Sequence, residues 1–477
     1  MNDRMDRHDA PPLVVDLDGT LVHTDLLVES ALALLHKSPF QGFKFFLWLL
    51  RGKAQLKHEI ARRVDFNAKL LPYNTALIDW LREQAKHRQV VLSTASDMLL
   101  AKAVADHLGF FSAVIASDGD TNNAGHRKAE RLVARFGEKG FDYVGNDSVD
   151  LDVWKHAHAA IVVSHSADLA KKAALLCPTT QDFHPPRRTL RPWVKALRLH
   201  QWVKNILVFV PALAAHVLFT PVALKSAYAF VCFGICASSV YLLNDLLDLP
   251  ADRRHHSKRR RPFAAGTLPA IHGVALMPVA LALAFVLSIP LGAYFALVLA
   301  GYYLLTLAYS FYFKRKVMAD VIVLAGLYTI RILAGSAAIG IAPSFWLLAF
   351  SMFVFLSLAM LKRYTELQAM KMEGRIGAKG RGYHVDDLPL LQSLGGASGY
   401  IAVLVLALYI DSTQSQSLYR RPHLLWAICP IMLYWISRAW AIAHRGIMHD
   451  DPVVFAIKDR TSQILMIFAA AAMFLAV

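Results

Sequence analysis

From Lys204 onward the sequence consists of apolar runs of about 20 residues separated by short loops, the length an α-helix needs to cross the hydrocarbon core of a bilayer. No other feature limits the fold as severely. In lipid every backbone polar group must be bonded internally, which leaves helices or closed barrels. The length rule of roughly 20 residues gives about nine candidate spans, at 204–219, 226–247, 271–290, 292–312, 319–340, 344–361, 397–411, 423–441 and 460–477. The run 270–313 is too long for one span, and Pro290 with Gly292 provides the break. The loops 252–261, 314–316, 362–381 and 438–460 are rich in Lys and Arg, whereas those near Pro290 and Ala342 carry no charge. With nine spans every basic loop falls on one side, the side of the residues before 204, which should be the cytoplasmic face of an inner membrane.

Hydrophobic residues make up 56% and charged residues 18% of the 477, with a mean hydropathy of +0.39. The net charge of +16 sits largely in the loops, so it is read as orientation in the bilayer and phosphate binding, and no nucleic-acid partner is expected. Cys177, Cys232, Cys236 and Cys429 are scattered and imply neither a disulfide framework nor a zinc site. The opening MNDRMDRHDAPP is polar, so no signal peptide is expected. Nothing in the sequence specifies an oligomeric state.

The first part, 1–183, reads as a soluble α/β domain. Strand-like runs at Leu13–Val15, Val90–Ser93, Ala113–Ala116, YVG and AAIVVS alternate with amphipathic helical stretches, as a doubly wound sheet requires. A helical segment, about 24–89, interrupts the first two strands. Its FKFFLWLL run (Phe43–Leu50) is too short to span a bilayer. It either packs over a site as a cap or dips into the membrane surface, and the cap is the reading taken. A Pro-rich linker (FHPPRRTLRP, within 184–203) leads to the membrane domain, 204–477.

In VVDLDGT, Asp16 and Asp18 leave the first strand two residues apart and point the same way. One Asp can act as a nucleophile on a phosphate and the other can protonate the leaving oxygen, with Mg²⁺ offsetting the charge. Thr94 closes the next strand in VVLSTAS, Lys128 lies in GHRKAERL, and GNDSVDLDVW supplies acids after a later strand. These stations, in this order, resemble the haloacid dehalogenase superfamily of phosphohydrolases over about residues 12–175. The resemblance implies Asp16 as nucleophile and metal ligand, Asp18 as general acid/base and second metal ligand, Thr94 and Lys128 as phosphate binders, and Asp150 as an acid organising Mg²⁺. Where that family has Gly-Asp, this chain has Gly145-Asn146, with Asp147 one position later. Either Asn146 ligates through its amide oxygen or Asp147 takes the metal-side role.

At the end of the second span stands NDLLDLPADRRHHSKRRRPFAAG, Asn244–Gly266. If the helix continues, Asp245, Asp248 and Asp252 share one face. Acids there repel unless a cation, a basic counter-layer or both sit among them, and at a membrane edge they point to function. Oxygen ligands suit Mg²⁺ bridging to a diphosphate, and the basic block offers donors to phosphate; Arg259 and Arg260 read equally well as positive-inside anchors. The motif resembles the UbiA-type membrane prenyltransferase superfamily. At the place of that superfamily's second aspartate-rich motif Asp320 is present, which the resemblance implies as a metal ligand, but Leu324 stands four residues later where a second acid is expected.

DxxxDRxHxxKRxRPxAAG, LRLHQWVKNILVFVPAL, AYSFYFKRK and KRYTEL together resemble the decaprenyl-phosphate phosphoribosyltransferase branch. That resemblance implies a polyprenyl phosphate acceptor, phosphoribosyl pyrophosphate as donor, and Mg²⁺ on Asp245, Asp248 and Asp252. It also implies substrate contacts from Asn244, Lys258, Arg261, the Arg198–Lys204 region, Lys314, Lys362 and Arg363, with Tyr309 and Glu366 orienting hydroxyls. The expected fold is thus a soluble α/β Rossmann-like domain with a helical cap, followed by an all-α transmembrane bundle of about nine helices. The expected function is phosphoribosyl transfer to the lipid, then removal of the 5-phosphate by the soluble domain. The alternative is an aromatic prenyltransferase using a polyprenyl diphosphate, with a phosphatase or regulatory domain of separate role.

Overall fold

The computed structural model describes residues 10–164, 166–183, 189–375, 382–448 and 451–477. The centre of the expected linker, 184–188, and parts of two basic loops, 376–381 and 449–450, lie outside the described residues.

Six strands, β1 (Leu13–Val15), β2 (Val90–Asp97), β3 (Ala113–Ser117), β4 (Asp142–Gly145), β5 (Ala160–Val163) and β6 (Thr179–Phe183), form one sheet in the order β3-β2-β1-β4-β5-β6. Every pairing is parallel. The alternation of β1 sends Leu13 and Val15 into one apolar cluster and Val14 into the other, so both faces are covered by helices, as a parallel sheet needs. Five strands fall where the apolar runs predict. The sixth, TTQDF, is a largely exposed edge strand with no apolar alternation to announce it.

Between β1 and β2 come α1 (Leu26–Lys37), α2 (Gly42–Leu50), α3 (Lys53–Ala61) and α4 (Thr75–Gln84). The insertion is helical, as expected, and Leu26 of α1, Ala61 of α3 and Leu77, Ile78 and Leu81 of α4 all join the cluster of Leu13 and Leu92. Of α2 only Trp48 is buried.

Among the described residues seven helices are long and apolar enough to cross a membrane: Val222–Leu247, Ala270–Leu291, Ala293–Phe311, Ala319–Ile339, Phe345–Met372, Val385–Asp411 and Pro422–His444. They match the seven inner ranges of the nine. The first range is instead 3-10 turns (Leu199–Phe209) and a five-residue helix (Val210–Ala214). Pro211 supplies no N–H, and buried Asn205 accepts a hydrogen bond from Arg331 Nε at 3.0 Å. This segment packs so tightly on Ala319–Ile339 that a Cβ at Gly335 would lie 2.0 Å from the Val208 carbonyl oxygen. The ninth range, Arg460–Ala476, is an apolar helix of 17 residues. All four cysteines are free and buried.

The chain divides into two compact units, one holding residues up to Arg198 together with Tyr241–Val279, the other Leu199–Val240 with Ala280–Val477. The aspartate-rich segment thus groups with the α/β domain. Arg253 forks onto Glu29 of α1 at 2.7 and 2.5 Å. Gly266, at φ +71°, approaches His23 and Pro72 so closely that a Cβ would meet both.

Candidate active sites

The strand order turns at β1, whose neighbours β2 and β4 continue in opposite directions. In open parallel sheets a crevice forms beyond the carboxyl ends of the strands at such a point. Asp16 and Asp18 follow β1, Thr94 lies on β2, and Asn146 follows β4, so the topology brings these stations together.

Lys128, buried on the helix His126–Phe136, donates to Asp16 Oδ1 at 2.7 Å and to the Tyr143 hydroxyl at 3.0 Å. Tyr143 donates to Asp150 Oδ1 at 2.9 Å, and Asp150 Oδ2 accepts the backbone N–H groups of Asn146 and Asp147 at 2.9 and 3.0 Å. Asp150 therefore shapes the loop after β4, while its oxygens are already engaged. Thr20 donates to Asn146 Oδ1 at 2.9 Å, and Asn146 lies so close to Gly19 that a Cβ there would be 2.3 Å from its Nδ2. Asp147 is exposed and caps Ser148 at 2.5 Å. Of the two alternatives, Asn146 is the side chain facing the DLDGT loop.

Asp18 accepts from Leu26 N–H at 2.8 Å, Ser96 Oγ at 2.6 Å and Thr94 Oγ1 at 3.4 Å. Burial, then the charges of Asp25 and Asp16, push its carboxyl up to about 7. Burial likewise pushes Asp16 up to about 6, with Lys128 pulling the other way. Burial alone would lower Lys128, but the carboxylates of Asp16, Asp150 and Asp18 outweigh it and hold the ammonium above its ordinary value. The arrangement suits an ionised nucleophile beside a protonated acid.

At the membrane edge, Arg198 donates to Asp245 Oδ1. Arg261 Nη1 bridges Asp245 Oδ1 at 3.1 Å and Asp252 Oδ2 at 2.6 Å. The helix breaks at Asp248, yet Asp248 N–H still bonds Asn244 O and Asp252 N–H bonds Asp248 O, at 2.9 and 2.8 Å, so Asp245 and Asp252 do share a side. Asp245 and Asp252 are buried and Asp248 is half-buried, with His36 Nδ1 at 3.8 Å. Asn244 is half-buried beside Asp245. Lys258 is exposed on a 3-10 turn. The acids thus have a basic counter-layer built from Arg198 and Arg261.

In the second unit Arg363 is a buried hub. It donates to Asp320 Oδ2 at 2.5 Å, Glu366 Oε2 at 2.6 Å and Tyr309 Oη at 2.9 Å. Asp320 Oδ1 accepts from Tyr383 Oη at 2.5 Å, so both its oxygens are occupied and it positions Arg363. Lys204 and Lys362 converge on Asp451 Oδ2 at 3.3 and 2.6 Å. Lys314 lies on the turn Phe313–Arg315 and is half-buried.

Several participants carry no sequence signal of their own. Tyr143 is an ordinary strand residue until the fold gathers it, and Ser96 and Thr20 close VVLSTAS and VVDLDGT with no spacing that gives them a role. Lys57 on α3 reaches Ala95 O at 2.5 Å and Asn122 Oδ1 at 2.8 Å. Asp451 sits in a loop read only as basic. For metal, no group of three or more His, Cys, Asp or Glu that could hold an ion occurs among the described residues. The oxygens present fit a different mode: Mg²⁺ commonly keeps waters and binds one or two carboxylates plus substrate phosphates. Asp16 with Asn146, and Asp245 with Asp248, offer such partial oxygen sets.

Residues 206–455 match the UbiA prenyltransferase family. The chain is 35% identical over 470 residues to protein y4nM of Sinorhizobium fredii, covering 98% of this chain and 91% of that one. It is 38% identical to Nodulation protein NoeC of Azorhizobium caulinodans, over 58% of this chain and 90% of that protein. It is 33% identical to Decaprenyl-phosphate phosphoribosyltransferase of Mycolicibacterium smegmatis, over 59% of this chain and 91% of that protein.

Proposed function

The chain belongs to the UbiA prenyltransferase family, and from that premise we propose that it makes polyprenyl-phosphoryl ribose in two steps. The membrane domain transfers 5-phosphoribose from phosphoribosyl pyrophosphate to a polyprenyl phosphate. The α/β domain then removes the 5-phosphate. The observation that carries this reading is the grouping of the Asp245–Arg261 cluster and the Asp16–Lys128 site in one compact unit. The similarity to a decaprenyl-phosphate phosphoribosyltransferase supports the choice of donor and acceptor.

In the first step a lipid phosphate oxygen attacks C1 of the ribose and pyrophosphate leaves. The acceptor is already an anion, so no strong base is required. Arg198 and Arg261 are placed to bind phosphate oxygens, and Asp245, Asp248 and Asp252 would hold Mg²⁺. In the second unit Arg363, fixed by Asp320 and Glu366, with Lys204 and Lys362, offers cations to the ribose 5-phosphate or the lipid phosphate. Asn244, Lys258, Lys314 and Tyr309 are further substrate contacts in this reading.

In the second step Asp16 attacks the phosphorus, the bond to the ribose 5-oxygen breaks, and Asp18 gives that oxygen its proton. Asp18 then takes a proton from the water that hydrolyses the aspartyl phosphate. Lys128 and Thr94 hold the phosphoryl group, and Asp16 with Asn146 would hold Mg²⁺. When bound, Mg²⁺ neutralises the charge developing on pyrophosphate or the transferring phosphoryl group. The chain is an integral membrane protein, and both sites are read as facing the cytoplasm.

Incubating the purified chain with a polyprenyl phosphate and ribose-labelled phosphoribosyl pyrophosphate tests the first step. Label should enter the lipid phase with Mg²⁺ and stay out with chelator. No labelled lipid under either condition would overturn the transferase reading.

A further inference from the structure

A cap that merely covers a site should bury its apolar residues. α2 and the turn before it do the opposite. Phe40, Phe43, Phe46, Leu47 and Leu50 are 81, 79, 67, 59 and 70% exposed. Their spacing of three and four residues lines them along one side. The other side is anchored: Trp48 is buried with Leu34 of α1 and Ile60 of α3, and Arg63 lies over its ring at 4.8 Å. The stripe is therefore held in place by packing on its far side.

The charges along its own stretch of chain have one sign. From Ser30 to His58 there is no Asp or Glu, and Lys37, Lys44, Arg51, Lys53 and Lys57 fall in the interval. The first four of these are exposed. Apolar side chains flanked by cations suit the boundary between lipid headgroups and acyl chains, above all where the lipids are anionic.

The path to a bilayer is short within the same compact unit. α1 leads directly into this turn, and its His36 lies 3.8 Å from Asp248, the first residue after the span Val222–Leu247. Glu29 of α1 holds Arg253 at 2.7 and 2.5 Å. We infer that Phe40–Leu50 of the cap is a membrane-interface anchor, seated on the surface of the bilayer that the chain's own helices cross. The anchor keeps the α/β domain at the lipid surface, where a lipid-linked phosphomonoester would be met. That last consequence rests on the proposed function, whereas the anchoring does not.

The test uses the full chain in phosphatidylcholine–phosphatidylglycerol liposomes containing spin-labelled lipid. An environment-sensitive fluorophore is attached at Phe46→Cys, at Leu50→Cys, or at the exposed control Lys171→Cys. The native cysteines are buried, and wild type treated identically supplies the blank. Quenching at least threefold greater at positions 46 and 50 than at 171, reduced when phosphatidylglycerol is omitted, is the expected result. Equal quenching at all three positions would overturn the anchor. So would a blue shift at 46 and 50 that grows with protein density but is insensitive to spin-labelled lipid, because a second copy would then cover the stripe. Quenching is read without turnover, so an anchored chain that leaves lipid phosphomonoester intact would sink the phosphatase assignment and leave the anchor standing.

Discussion

In the α/β domain, backbone N–H groups of Leu26, Asn146 and Asp147 donate to the carboxylates of Asp18 and Asp150. A single lysine, Lys128, completes the set at Asp16. At the membrane edge the N–H groups of Asp248 and Asp252 are already bonded to carbonyls four residues back, and two arginines partner the acids instead. The difference follows from where each set stands. A chain leaving a strand has free donors to offer, but a helix consumes its own except at its first turn. Acids on a helix must recruit cationic side chains, and those side chains are phosphate binders in their own right. A phosphorylated substrate competing for Arg198 and Arg261 would release carboxylate oxygens to a metal.

The sharpest way to break this comparison is to remove one acid from each side. Asp16→Asn should lower hydrolysis of a soluble phosphomonoester by about a thousandfold or more, as nucleophile deletions do, while lipid labelling from phosphoribosyl pyrophosphate is kept. Asp245→Asn should abolish lipid labelling and leave the hydrolysis unchanged. Loss of both activities from either substitution would show that the two sites do not work separately. Next in size is Arg261. Arg261→Gln removes the bridge between two buried carboxylates and should cut lipid labelling about a hundredfold, the scale of breaking a buried charge pair. Arg261→Lys should restore only part, because the shorter lysine lacks the planar guanidinium that sets Nη1 between both acids.

A smaller effect concerns pH. Asp18 is pushed up to about 7 and must be protonated to supply the leaving oxygen. Phosphomonoester turnover at saturating substrate should therefore peak between about 6, below which Asp16 is protonated, and about 7, above which Asp18 has lost its proton, whereas lipid labelling, which uses neither group, should not follow the same limbs. The smallest effect is expected for Tyr143→Phe. It cuts the relay between Lys128 and Asp150 and should cost roughly 1 kcal/mol, about fivefold in phosphomonoester turnover. A loss as large as that of Asp16→Asn would mean that Tyr143 does more than position Lys128.

The two regions also differ in how far they can be read from sequence. DLDGT places two carboxylates at a strand end by spacing alone, and the parallel order of the sheet then brings Thr94, Lys128 and Asn146 to them. The choice between Asn146 and Asp147 depends on which side chain turns toward Gly19, and adjacent residues at a loop give no periodicity to decide it. Asp245, Asp248 and Asp252 are legible as a face, but the identity of their counter-charges is not. Arg198 lies 47 residues from Asp245, and only tertiary packing selects it from a chain rich in arginine. Segment 204–219 looks like a span because it is apolar. The polar tie of Asn205 to Arg331 and the approach of Val208 to Gly335 belong to helix packing, which a hydropathy window does not contain. The exposed stripe of α2 is the converse case, in which an apolar run suggests burial and the structure leaves it on the surface.

The central claim is that the two sites act in sequence on one lipid. Mass spectrometry of the lipids formed from phosphoribosyl pyrophosphate, a polyprenyl phosphate and Mg²⁺, comparing wild type with Asp16→Asn, tests it most directly. Wild type should yield polyprenyl-phosphoryl ribose without the 5-phosphate, and the variant the same lipid with its 5-phosphate retained. The 5-phosphorylated lipid accumulating equally from both proteins would contradict it.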